Sequence, residues 1–450
     1  MASAGIALSL ATPAAAQTAG PQAPAAPAGD IAWMMVSTAL VLVMVVGLAF
    51  FYGGLVRRKN ALNTMMMSFV SLGVVGLTFA GVGYSLAFSG TSALIGDLAH
   101  AGLRGLAPGG AGGSGGLPSL LFFCFQATFA MITAALISGA VVERMRFGAY
   151  MLFIALWSVI VYAPIAKWVW GGGFLQHLGA LDFAGGTVVH INAGVAAAVL
   201  ALVLGRRHDY GRQAMLPHQV PMTLLGAGLL WFGWFGFNAG SALSANAISV
   251  VAFANTLLAP AATLVVWALL DLMRDGRVTA VGLATGIVVG LVAITPAAGF
   301  VSPASALAIG TVAALPSYAL ILWRARSGLD DALDVFAAHG IGGMSGALLT
   351  GLFASTAWGA PVNGSLAQLG VQALAVACAA GTSAVGTFAI ARLVGAVTPL
   401  RADAVTEAQG LDVALHGEEA YTDGEGALLV PVSRLGPRAP AVTGPAGSEA

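Results

Sequence analysis

Two histidines stand in stretches that otherwise avoid charge. His190 lies in DFAGGTVVHINAGVAAAVLALVLG, uncharged between Asp182 and Arg206, and His339 lies in DVFAAHG at the head of another apolar run. A neutral imidazole carries one donor and one acceptor nitrogen, so two facing rings can hydrogen-bond a small polar molecule or pass a proton between them. A lone histidine among lipid-spanning helices is more often a strut that bonds one helix to another. Metal binding would need a third or fourth ligand, and no Cys, Asp or Glu shares their depth at ligand spacing. Cys124 and Cys378 stand far apart in apolar segments, so neither a disulfide framework nor a zinc motif is suggested. No metal and no cofactor are expected.

The elements that must hold the pair follow from composition. Of 450 residues 58% are hydrophobic and 8% charged, with mean hydropathy +0.90, too few charges to coat a soluble globule of this size. Eighteen basic and 18 acidic residues cancel, which removes the positive balance of a nucleic-acid binder. Apolar runs between short polar breaks predict spans at about 31–56, 62–88, 118–140, 147–166, 183–204, 219–241, 248–270, 279–297, 303–323, 332–354 and 368–395. Lipid does not tolerate unpaired backbone, so each is read as helix. The expected fold is all-α, a polytopic membrane protein of eleven transmembrane helices.

Basic residues gather in alternate loops. Arg57, Arg58, Lys59, Arg144, Arg146, Arg206, Arg207, Arg212, Arg274, Arg277, Arg324 and Arg326 follow odd-numbered spans, whereas only Arg104 and Lys167 follow even ones. This bias puts the odd breaks and the C-terminus in the cytoplasm and the N-terminus outside. Residues 1–29 read as a signal-peptide-like leader, with IALSLATPAAAQ as its apolar region and a cleavage site near Ala16, followed by an Ala/Pro-rich linker. No Lys or Arg precedes that apolar region. The membrane domain is expected at 30–396 and a cytoplasmic tail at 397–450, its last part rich in Gly, Pro and Ala. GLAPGGAGGSGG at 105–116 reads as an external loop.

An internal repeat ties the two histidines together. The 149-residue offset from His190 to His339 also pairs Gly194 with Gly343, Ala198 with Ala347 and Leu200 with Leu349, and FYGGLVRRKNA at 51–61 matches FNAGSALSANA at 237–247 in Phe, Gly, Asn and Ala. Repeat one spans about 31–204 and repeat two about 219–354, five helices each, with the eleventh helix at about 368–395. An odd number inverts the second block, the plan that places a substrate path at the repeat interface near mid-membrane. Eight residues of helix from Asp182 would carry His190 ~12 Å inward, towards the middle of a ~30 Å apolar layer. His339, five residues after Asp334, would reach a similar depth from the other side.

At these residues the chain resembles the ammonium transporters, the Amt/Mep/Rh proteins, and most closely the bacterial Amt type. The likeness runs from Ile31 to Tyr421 and is carried by DFAGGTVVHINAG at 182–194, FQATFAMITAALISGAVVERMRF at 125–147, WFGWFGFNAGSA at 231–242, WGGG at 170–173, DVFAAHG at 334–340 and GLDVALHGEEAY at 410–421. It implies a non-enzymatic transporter of ammonium or ammonia in the bacterial inner membrane, a homotrimer with one pore per subunit. It also implies a tail that contacts neighbouring subunits and influences docking of PII-type signal proteins.

The same resemblance assigns roles. Trp170, Phe129 and Ser241 look like the external recruitment site, and Phe129 with Phe237 like a stacked gate beneath it. His190 and His339 look like the twin histidines of the pore, bordered by Trp234. Asp182 looks like the aspartate that organises the vestibule by capping the fifth helix, and Phe125 packs one turn from Phe129. Any one of these aromatics alone would be read as packing. The implied path deprotonates ammonium at the gate, conducts ammonia past the histidines and moves the proton separately. Two rivals stand beside it: an Rh-like neutral gas channel, and an ammonium sensor signalling through its tail, for which the residues after 396 look too short and polar.

Overall fold

The computed structural model describes residues 26–109 and 113–421. The leader with its cleavage site near Ala16, residues 110–112 of the Gly-rich loop and the tail beyond Tyr421 lie outside the described residues.

Among the described residues every long element is helical, and each expected span coincides with one helix. Ten are long and apolar enough to cross a membrane: α1 (Ala28–Leu55), α2 (Arg58–Phe88), α3 (Ser119–Val141), α4 (Phe147–His177), α5 (Gly186–Leu204), α6 (Val220–Gly240), α7 (Ala247–Asp275), α9 (Pro303–Arg324), α10 (Phe336–Phe353) and α11 (Leu366–Val397). Between α7 and α9 lies the apolar α8 (Ala280–Ile294), whose 15 residues give way to turns. Polar residues start four of these helices as capping chemistry requires. Asn246 accepts from Ser249 N at the head of α7, Thr279 from Gly282 N at α8, Ser302 from Ser305 N at α9 and Ser365 from Gln368 N at α11.

Small residues let the two repeats touch. A Cβ on Gly226 of α6 would fall 2.2 Å from Phe51 N of α1, and one on Gly194 of α5 would fall 2.2 Å from Gly340 N of α10. The repeat mate of Gly194 behaves reciprocally. Gly343 on α10 faces Gly186 O of α5 at 3.1 Å and His190 Cβ at 3.2 Å from the position of its missing Cβ. Backbones this close exclude lipid and fix α5 and α10 against each other at the level of the histidines.

The depth expected for His190 is corrected in one respect. Residues 182–185 are not helical, Gly185 sits at φ 110°, and α5 begins at Gly186, four residues before His190. Asp182 is already buried there, so α5 starts inside the bundle and not at its surface. Its first turn, Gly186–Ile191, is π-helical, and so is the first turn of α10, Phe336–Ile341. Each contains the histidine of its repeat. Single π turns of this kind often mark functional positions because the widened turn re-aims a side chain.

Arginines and carboxylates from four loops meet at one end of the bundle, the basic end. Glu143, in the VVERMRF turn after α3, has φ 68°. Its Oε1 accepts from Arg57 N, Arg57 Nε and Asn60 Nδ2, each at 3.0 Å, and its Oε2 from Arg207 Nη1 at 2.8 Å. Arg207 also grips Asp330 through Nη2 at 2.8 Å, and the fully buried Arg144 donates to Asp330 O at 2.6 Å. The tail folds under the same end. Asp412 accepts from Leu62 N and Asn63 N at the head of α2, His416 Nε2 lies 2.9 Å from Asn63 Oδ1, and Tyr421 donates to Gln219 Oε1 at 2.6 Å.

Burial alone would push the Glu143 carboxyl up, but the Arg207 charge and the Arg57 hydrogen bonds outweigh it and hold it below the ordinary carboxylate range. For Asp330 the Arg207 contacts outweigh burial in the same way. A group lowered on folding adds stability that is complete above its unfolded value, about 4.3 for Glu and 3.9 for Asp, and lost as pH falls through the folded value. The thermal unfolding temperature of detergent-purified protein should therefore fall below about pH 4. Glu143→Ala strands Arg207 and Arg57, should cost about 3–5 kcal/mol, and should shallow that acid limb. A variant whose acid limb overlays the parent would contradict this account.

Candidate functional site

At the end opposite the basic one, the meeting of α3, α4 and α6 leaves a cavity of about 190 Å³ lined by Phe125, Gln126, Phe129, Trp170, Gln176, Phe183 and Ser241, among others. A neighbouring cavity of about 470 Å³ shares Trp170, Ser241, Gln176 and Phe183 and reaches Asp182. Trp170 is set by its indole Nε1, which donates to Asp182 O at 2.9 Å, and it meets Phe129 edge-on with centroids 5.9 Å apart. Ser241 spends its proton on Phe237 O at 2.8 Å. Its oxygen lone pairs remain for a donor in the cavity.

The cavity floor is closed by rings. Phe129 and Phe237 stack with centroids 4.1 Å apart and planes inclined by 23°, both fully buried. Phe125 packs against Phe129 at 4.8 Å and also reaches the cavity. Beneath the stack His190 lies 5.9 Å from Phe237 and stacks on Trp234 at 5.2 Å. Trp234 is held by donating Nε1 to Thr295 Oγ1 at 2.9 Å. His190 and His339 then face each other, Nδ1 to Nδ1 at 3.2 Å, with ring planes within 21°. One nitrogen of that contact must donate and the other accept, so the two rings cannot both be imidazolium in this arrangement. His190 Nε2 is buried without a partner. On the far side His339 opens into a cavity of about 200 Å³ at the basic end, lined also by Tyr52, Thr285, Arg324 and Asp334.

Asp182 sets the height of this column. Its Oδ1 accepts from Gly185 N and Gly186 N at 2.9 and 2.6 Å, and its Oδ2 from Thr187 N and Val188 N at 2.8 and 3.1 Å. These four amides are the ones that the first turn of α5 would otherwise leave open. The structure therefore brings Trp170, Phe129, Ser241, Phe237, Trp234, His190 and His339 into one line, with Asp182 beside it as a cap.

Sequence reasoning missed the counterpart of that cap. Asp331 stands 149 residues after Asp182 and accepts from Phe336 N at 2.7 Å at the head of α10. The repeat offset already pointed to it. The nearer Asp334, from which the depth of His339 was reckoned, instead pairs with Arg324. Thr295, which anchors Trp234, carries no pattern in the sequence, because its role depends on the fold of the turn after α8. Among the described residues no group of three or more His, Cys, Asp or Glu could hold a metal ion.

Comparison with known proteins gives consistent matches. The family model described as Ammonium Transporter Family matches residues 32–421. The ammonium transporter of Bacillus subtilis strain 168 is 46% identical over 401 residues, covering 88% of this chain and 99% of its own. The ammonium transporter of Aquifex aeolicus is 49% identical over 400 residues, covering 87% and 93%. Among solved structures, Saccharomyces cerevisiae Mep2 superposes with TM-score 0.78 at 37% identity, over 84% of this chain and 88% of that one. A structure described as a sensor Amt protein gives 0.81 at 33%, over 86% and 98%.

Removing the carboxylate of Asp182 leaves four buried amides without acceptors. At about 1–3 kcal/mol for a stranded buried group, Asp182→Ala should lower thermal stability by several kcal/mol. Asp182→Asn, which keeps one acceptor oxygen, should lose less. Equal unfolding temperatures for Asp182→Ala and the parent would refute the capping role.

Proposed function

The chain belongs to the ammonium transporter family, and from that premise we propose that it carries nitrogen across the membrane in two chemical forms, ammonium at the entrance and ammonia in the pore. The observation that carries this reading is the uninterrupted column from Trp170 through the Phe129–Phe237 stack to the His190–His339 pair.

Bringing an ion of ammonium's size into a medium like dry protein costs of order 20 kcal/mol by an idealised Born estimate. Ring faces at Trp170 and Phe129 return about 0.5–2 kcal/mol each, enough to gather the cation and far too little to carry it through. Deprotonation at the gate removes the penalty. Ammonia then passes Phe237 and meets imidazoles that offer it both a donor and an acceptor. Potassium has similar size and charge but no proton to shed, so the same barrier rejects it. The proton crosses by its own route, which makes net transport electrogenic.

In this reading Trp170, Phe129 and Ser241 recruit, Phe129 and Phe237 gate, and His190, His339 and Trp234 line the pore. The basic end faces the cytoplasm of a bacterial cell across its inner membrane, with the N-terminus outside and the C-terminus inside. Eleven helices span, five inverted against five, and three subunits assemble with one pore each. The segment 401–421, strapped beneath the basic end by Asp412 and Tyr421, offers a PII-type signal protein its docking surface.

Proteoliposomes holding the purified protein should give a transient current on an ammonium pulse and none on a potassium pulse. His190→Ala and His339→Ala should each cut the ammonium current at least about tenfold, a loss of about 1.4 kcal/mol or more. Ammonium-driven alkalinisation without current would favour the neutral gas channel instead. Silence in both assays, with ammonium-dependent binding of a partner at the tail, would favour the sensor. Deleting residues 405–425 should weaken pull-down of a PII protein, and undiminished capture would remove that partner from the proposal.

A further inference from the structure

We infer that Asn192 is a positioning residue for the pore, its side-chain amide standing in for a backbone N–H beside the widened turn that aims His190 at His339. The inference rests on reading that pair as the lining of the pore. In an α-helix the N–H of residue 192 would bond four residues back, to Val188 O. Here it is shared between Thr187 O, five residues back, and Val189 O, and the N–H of His190 likewise reaches five back to Gly185 O at 3.1 Å. Val188 O is thus passed over by the amide that an α turn would give it. Asn192 Nδ2 takes that place, donating to Val188 O at 3.1 Å.

The amide has one workable orientation. Asn192 is fully buried, and its Oδ1 has no hydrogen-bond donor in the protein. Turned about, the side chain would set oxygen against Val188 O, acceptor against acceptor, so Nδ2 must hold this position. An open buried oxygen is unfavourable, and an apolar side chain would not incur it. What the amide supplies and an apolar side chain cannot is the donor to Val188 O. Ser383 on α11 donates to Asn192 O at 2.7 Å and fixes the residue from a neighbouring helix. His190 stands two residues away, and its ring must keep both the 3.2 Å contact with His339 and the stack on Trp234. Were the turn to tighten to α, the N–H of residue 192 would return to Val188 O and the side chains before it, His190 included, would swing about the helix axis. The repeat mate of Asn192 is Ile341, so the second repeat has no side-chain donor at the equivalent position.

Serine and threonine hydroxyls within a helix donate to the carbonyl four residues back, which supplies the test. Threonine and valine are alike in shape and differ by that hydroxyl. In proteoliposomes Asn192→Val should cut the maximal ammonium current about tenfold and leave half-saturation within about twofold, whereas Asn192→Thr should keep both within about twofold of the parent. In nitrogen NMR spectra of histidine-labelled protein, the imidazole signals that vanish in His190→Ala should move in Asn192→Val and stay in Asn192→Thr, a distinction that lost packing would not draw. Equal currents in the two variants, whether both kept or both lost, overturn the inference, as do unmoved imidazole signals in Asn192→Val. If Asn192→Val does not fold, Asn192→Thr decides, and its failure to fold or to carry the parent current overturns the role. A parent protein that gives neither current nor ammonia flux defeats the transport reading itself, whereas an active parent whose two variants behave alike defeats only the role of Asn192.

Discussion

A direct Nδ1 contact between two imidazoles deep in a helical bundle demands that the helices bearing them begin inside the protein and press backbone against backbone. Asp182 makes the first condition possible, since its two oxygens satisfy the four amides at the buried start of α5. Asp331 serves the head of α10 from the other side. Gly194 and Gly343 make the second possible, each removing a side chain that would collide with the partner helix. Together these residues frame the helix pair in which the rings meet at 3.2 Å. Of the repeat identities around the histidines, the pair Gly194 and Gly343 lies where the two helices press together.

A dry interior dictates where charge can be kept. Among the described residues the dense ionic cluster built on Glu143, Arg144, Arg207 and Asp330 lies at the basic end, where four loops supply both signs and each carboxylate finds an arginine. Tryptophan ends inside the bundle are treated with equal economy. Trp234 donates to Thr295 and Trp157 to Thr387, so large rings can sit inside the bundle without leaving an N–H open. The clasp at one end and the buried caps within leave the column between Phe237 and His339 to uncharged groups.

Much of this was legible before any coordinates. Lipid forces helix, so apolar run length alone located the helices, and the inverted repeat placed His190 and His339 opposite one another because the same residues recur at the same offset. Asp331 lay on that offset too and was passed over for Asp334, which is nearer His339 in sequence but bonds elsewhere. The π-helical turns had no signal, since one residue more per turn changes no composition. The late start of α5 was hidden for a related reason, Ala184 to Gly186 being as apolar as the helix they precede. Contacts assembled from distant loops, such as Glu143 with both Arg57 and Arg207, exist only once the chain has closed on itself, and an orphaned oxygen such as that of Asn192 is visible only when every neighbour is in place.

Two phenyl rings 4.1 Å apart are already at van der Waals contact, which leaves no thickness for a water molecule between them. While they stack, no unbroken file of water can thread that level, and a hydronium charge cannot hop through it. The pair is thus a dry layer across the floor of the cavity. Charge that crosses this level must therefore follow a path that avoids the stacked rings.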